Sequence, residues 1–150
     1  MKKFALILCI GFLGFTMNAQ EQATSKKNDE KAPIFKFETE VLNYGEIAHN
    51  SDGVRVIKFT NVGKSPLIIT NVKGSCGCTV PTRPKEPIMP GAQGEIQVKY
   101  ATNRIGPFSK TVTITSNAKR STVVIPVKGK VLNEKDSATL LQKKKTVVSQ

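Results

Sequence analysis

The chain has 150 residues, a formal net charge of +12, three cysteines and no tryptophan. That length holds one ordinary domain, enough to bury a single core without several disulfides. The positive balance suits anionic neighbours such as lipid headgroups, envelope polysaccharide or nucleic acid, although the same charge also serves plain solubility.

Residues Met1 to Ala19 read as a secretory signal peptide. Lys2 and Lys3 give the positive start, Phe4 to Met17 the apolar run, and Asn18-Ala19-Gln20 a small-residue cleavage site. The apolar run of about 14 residues falls short of the roughly 20 that a membrane-spanning helix needs. A transmembrane protein is therefore not expected. Cys9 lies inside the run with apolar or glycine residues after it, where a lipoprotein cleavage box would already have ended, which disfavours a lipid anchor. Cleavage removes Cys9 and leaves Cys76 and Cys78 as the entire thiol content of a protein that is periplasmic or secreted in the bacterial cell envelope. In an oxidising compartment two free, exposed thiols are not the default.

Residues 20–33 are polar and charged with no apolar period, the composition of a flexible linker. From there the chain is a series of short runs rich in Val, Ile, Thr, Phe and Tyr, cut by Gly, Pro, Asn and Ser. The predicted strands are Ile34 to Glu38, Val41 to Glu46, Val54 to Asn61, Pro66 to Val72, Glu95 to Thr102, Phe108 to Ser116 and Thr122 to Leu132. Alternation of period two is clear in several. Ile96, Val98 and Tyr100 oppose Glu95, Gln97 and Lys99, and Val112 and Ile114 oppose Thr111, Thr113 and Thr115. The segments Asn50 to Gly53, Asn61 to Ser65 and Pro90 to Gly94 supply turn residues that tolerate positive φ.

About seven strands in about 100 residues, with no long helical period, predict an all-β, immunoglobulin-like β-sandwich over residues 34–133. A Greek-key barrel is the second choice. The last segment, 134–150, is a basic tail in which Asp136 or Ser137 is expected to cap a short, frayed helix through Gln142. Residues 34–133 carry +8 of the charge, so the excess belongs to the folded part.

Reactive side chains are concentrated at Gly74-Ser75-Cys76-Gly77-Cys78-Thr79. This segment, with Phe59 to Leu67, Thr79-Val80-Pro81, Ile88-Met89-Pro90-Gly91, Gly106 to Lys110 and Ser116-Asn117, resembles the bacterial exported proteins of the domain of unknown function 1573 family, related in fold to Hydin-like immunoglobulin domains. The matching segments span most of the predicted domain in the expected order. The resemblance implies an immunoglobulin-like fold and export to the envelope, and it implies no activity.

The residues themselves leave three readings of the thiol pair open. On an extended strand Cys76 and Cys78 share a face with Cα atoms roughly 6.6 Å apart. A disulfide prefers about 5.5 to 6 Å, so a bond there is strained unless Gly77 lets the backbone kink, and a strained bond is easily reduced. Two thiolates also suit copper(I) or zinc, but zinc takes three or four protein ligands, and the only accessory donors are Met89 and His49. The third reading is plain packing, since free cysteine is among the most buried residue types. Lys73 and Arg83 flank the loop and would depress a thiol pKa on close approach.

Catalysis has little support. Glu38, Glu40 and Glu46 fall on short, solvated strands, and no phosphate loop, serine elbow or metalloprotease helix is present. The basic residues are scattered without interleaved aromatics, which argues against nucleic acid. The sequence thus predicts a non-enzymatic envelope module, without cofactor, that binds a protein or an anionic envelope component through loops or a strand edge. A thiol-redox or metal-handling protein built on Cys76 and Cys78 is the alternative.

Overall fold

The structure, a computed structural model, describes residues 31–139. The expected signal segment, nearly all of the linker and the end of the basic tail lie outside the described residues.

Eight strands form two four-stranded sheets. They are β1 (Phe35–Phe37), β2 (Leu42–Ala48), β3 (Val54–Asn61), β4 (Ile69–Gly74), β5 (Thr79–Thr82), β6 (Gln93–Tyr100), β7 (Gly106–Ser116) and β8 (Thr122–Leu132). One sheet has the order β1-β3-β6-β5 and the other β2-β8-β7-β4. All pairings are antiparallel except β2 with β8. The architecture is the immunoglobulin-like β-sandwich that the alternation predicts.

Each central strand buries every second residue. In β6 the alternation runs unbroken, with Gly94, Ile96, Val98 and Tyr100 inside. These face Val112 and Ile114 of β7 and Val123, Ile125 and Val127 of β8 across the core. Full burial of one such aliphatic side chain contributes about 1.5 to 3 kcal/mol, so the two inner faces supply most of the cohesion. Two aromatic groups sit within this core. Phe35, Phe37 and Phe59 cluster where β1 meets β3, and Tyr44, Tyr100 and Phe108 cluster between the sheets, Tyr100 stacked on Phe108 at 3.7 Å.

Besides shifts of one to three residues in the limits of β1, β4, β6 and β7, the structure departs from expectation in four places. First, β5 carries no strand signal in the sequence, because it is four residues long, contains Pro81 and directly follows the cysteine pair. Pro81 is tolerated because β5 is an edge strand. Second, β2 continues two residues beyond Glu46, past a bulge at Gly45 (φ 62°), whose N–H is held by Asn43 Oδ1 at 2.9 Å. Third, positive φ occurs at Asn50 and Gly91 but not at Gly53 or Gly63. At those two positions glycine is required by crowding, since a Cβ would collide with the Tyr100 carbonyl or with the backbone of residues 32–34. Fourth, the terminal helix covers 134–139 among the described residues, and its cap is Asn133, whose Oδ1 accepts from Asp136 N–H at 2.9 Å. Ser137 is buried rather than frayed and meets the His49 N–H at 3.3 Å.

Candidate functional site

The chain passes from one sheet to the other at Ser75–Cys78, between β4 and β5. Ser75 holds this crossing to β7: its N–H donates to the Thr111 carbonyl at 2.9 Å, and its Oγ accepts from Thr111 N–H at 3.1 Å. A turn follows, closed by Thr79 N–H on the Cys76 carbonyl at 3.2 Å. Cys78 is then tied to the end of β6, its carbonyl accepting from Ala101 N–H at 2.9 Å.

Within this turn Cys76 and Cys78 are joined as a disulfide with a Cα separation of 5.3 Å. The pair is therefore not on an extended strand, and the separation lies inside the usual range for the bond. Gly77 does not use the left-handed region to achieve this, and a Cβ on it would meet open space. Cys76 is half-buried, whereas Cys78 is 7% exposed and belongs to the core. Thr79, also buried, places its Oγ1 at 3.8 Å from the Cys76 sulfur and 3.9 Å from that of Cys78.

The accessory donors do not join the pair. Met89 is 57% exposed and lies at the start of β6, where its carbonyl accepts from Ala92 N–H, whereas Cys78 is tied to the end of β6. An eight-residue strand separates them by roughly 25 Å. His49 is at the same end of the sandwich as Cys78, beside Asn50, whose N–H reaches the Thr102 carbonyl at 3.1 Å. Its Nδ1 is 3.3 Å from Asn50 Nδ2. Among the described residues no three His, Cys, Asp or Glu side chains converge to hold a metal. Arg83 is likewise engaged elsewhere, donating to the Ile69 carbonyl at 3.0 Å.

Sequence reasoning missed a second feature. An open groove of about 790 Å³ runs between β1 and the first half of β8. It exists because β2 pairs with β8 only from Val127 onward, leaving Thr122 to Pro126 uncovered on that side. Ile34 (40% exposed) and Val124 (51% exposed) give it apolar walls, and Lys36, Lys119 and Arg120 surround them with positive charge against a single carboxylate, Glu40. The residues are too far apart in sequence, and the strand ends too indistinct, for this juxtaposition to be read beforehand. Among the described residues no helix is long and apolar enough to cross a membrane.

The family "Protein of unknown function (DUF1573)" matches residues 35–131. No curated protein matches the sequence. Among solved structures, a protein of unknown function from Porphyromonas gingivalis is similar at a TM-score of 0.59 and 16% identity, over 68% of this chain and 48% of that one. The CsuC–CsuE chaperone–tip adhesion subunit pre-assembly complex of Acinetobacter baumannii is similar at 0.52 and 12% identity, over 66% of this chain and 52% of that one. The ASH/PapD-like domain of human CEP192 gives 0.51 and 9% identity, over 85% of this chain and 99% of that one. The chain thus spans about half the length of the first two, and at these identities the likeness is one of fold.

Proposed function

The chain belongs to the DUF1573 family, and from that premise we propose that it is a non-enzymatic module of the bacterial envelope, exported by its N-terminal segment, that binds another envelope component. The observation that carries this reading is the groove between the two sheet edges, where apolar side chains stay exposed in a lining that also holds three cations and one carboxylate. Grooves of this kind mark interaction sites more often than scattered surface hydrophobes do. A related sandwich in the chaperone–tip adhesion subunit complex offers a precedent for this fold beside another protein. The test is a photo-crosslinking residue at Lys36 in intact cells, followed by fractionation of the envelope. A specific crosslinked partner in the envelope fraction is expected; recovery of the protein in the cytoplasm, uncrosslinked, overturns the reading.

A second reading is favoured by the disulfide itself. Cys76 is the more exposed residue of the pair and Cys78 the buried one. Attack by a partner protein's thiolate on the Cys76 sulfur would form a mixed disulfide and release Cys78 as a thiolate beside the Thr79 hydroxyl. A second thiolate of that partner would then release Cys76, leaving the partner oxidised and both cysteines reduced. Intact mass spectrometry of protein taken from cells with thiols trapped by acid and alkylation tests it: a mixed population of oxidised and reduced protein supports exchange, and a fully oxidised population that resists thioredoxin overturns it.

A further inference from the structure

Both walls of the groove are strand edges with unpaired backbone. In the first sheet, the Ile34 carbonyl accepts from Val62 N–H and Glu38 N–H donates to the Lys58 carbonyl, so these residues turn their backbone groups toward β3. Antiparallel pairing alternates, so Phe35 and Phe37 turn theirs outward, toward the groove. In the second sheet, Thr111 gives its carbonyl and its N–H to Ser75. Thr111 therefore faces away from β8, as does Thr113 two residues on. Val124 is the partner of Thr113, so its N–H and carbonyl face away from β7 and into the groove. Among the described residues no strand meets them, since β2 reaches β8 only at Val127.

We propose that this groove takes an extended segment of a partner protein as an added strand beside Thr122 to Pro126 of β8, with apolar and acidic residues alternating along that segment. The inference rests on the binding-module reading above and gives it a partner chemistry. Unpaired N–H and carbonyl groups in a row recognise a backbone, which only a polypeptide supplies. The open stretch of β8 is roughly 17 Å long, the span of about five extended residues. Alternate side chains of an added strand point to opposite faces. Apolar ones pack beside the exposed Val124, and acidic ones answer the charge of Lys36, Lys119 and Arg120 along the groove. With one carboxylate, Glu40, against three cations, the rim selects against basic segments.

The probe is a capped octapeptide of alternating valine and glutamate, with two companions: the same peptide with lysine for glutamate, and the same peptide N-methylated at alternate residues. Binding to the full-length protein is followed by fluorescence anisotropy and by amide chemical shifts. The acidic probe is expected to shift residues 34–37 and 122–126. Val124→Pro removes one groove-facing N–H at a position that makes no bond to β7 and is expected to weaken binding at least tenfold. Paired Lys119→Glu and Arg120→Glu changes are expected to weaken it similarly and to admit the lysine probe. The N-methylated probe, which needs no variant to fold, is expected not to bind.

No binding of the acidic probe at millimolar concentration, equal binding of the lysine or N-methylated probe, or shifts confined to another edge such as β4 each overturn the proposal. So does a concentration-dependent dimer lost in Val124→Pro, which assigns the groove to a second copy. A chain ended at Thr139 that binds the probe tenfold tighter assigns it to the chain's own tail and also overturns the proposal. A crosslinked envelope partner that maps elsewhere would remove this groove while leaving the binding-module reading standing.

Discussion

The hydroxyl of Tyr44 donates to the Val98 carbonyl at 2.7 Å, a bond that spans the core from β2 in one sheet to β6 in the other. Burial pushes the Tyr44 pKa up to about 12, against a smaller opposing pull from the Arg55 guanidinium 5.3 Å over its ring and a small push from Asp52. The unfolded chain loses this proton near pH 10, and the folded protein keeps it to about pH 12. Stability from this group is therefore complete below about pH 10 and is lost as pH rises toward about 12. Urea midpoints measured from pH 9 to 12 should fall more steeply for the native protein than for Tyr44→Phe. At pH 7 the variant should be less stable by about 1 kcal/mol for the lost bond. Parallel pH profiles would place the alkaline sensitivity elsewhere.

Asn61 organises the turns beside the groove. Its Oδ1 accepts from Ile34 and Gly63 N–H, and its Nδ2 donates to the Ser65 and Ile88 carbonyls at 2.9 Å each. Its side chain is fully buried, so removal strands the Ile34 and Gly63 N–H groups and the Ser65 carbonyl, while the Ile88 carbonyl keeps the Leu67 N–H. Asn61→Ala should cost about 2 to 4 kcal/mol in urea denaturation. A cost under about 1 kcal/mol would mean that water replaces the amide.

Two glycines three residues apart should behave oppositely. A Cβ at Gly74 collides with the Thr79 carbonyl, whereas one at Gly77 meets nothing. Gly74→Ala should lower the melting temperature by several degrees, for a cost of about 1 to 3 kcal/mol. Gly77→Ala should stay within about 0.5 kcal/mol of the parent and keep the disulfide.

The disulfide closes so short a loop that it constrains little of the unfolded chain. Cys76→Ser with Cys78→Ser should destabilise by no more than about 2 kcal/mol on the chain-entropy estimate, plus a small packing loss at Cys78. Circular dichroism melts of the double variant should remain cooperative. Loss of a cooperative transition would make the bond a structural staple.

Central strands were legible from composition because two-sided environments impose period two. The residues from Val54 to Asn61 and from Thr122 to Leu132 form strands at the predicted limits. Edge strands were less legible. β4 begins at Ile69, three residues later than Pro66 suggests, because Asn117 captures Ile68 N–H with its Oδ1 at 2.7 Å and holds the entry to that strand apart. The thiol pair stands out in the sequence, but its turn does not, because the turn depends on Ser75 meeting Thr111, a contact 36 residues distant. The groove was invisible for the same reason: it is made by where β2 begins, and no local pattern sets Leu42 against Val127.

The parallel contact of β2 with β8 joins the second strand of the domain to the last, about 85 residues apart. In order of synthesis, β2 has no sheet partner until the chain is almost finished, although β3 can already pair with β6 and β4 with β7. A nascent chain short of Thr122 therefore carries a β2 without its sheet partner and an incomplete core. Commitment to the fold belongs to the moment when the last strand arrives.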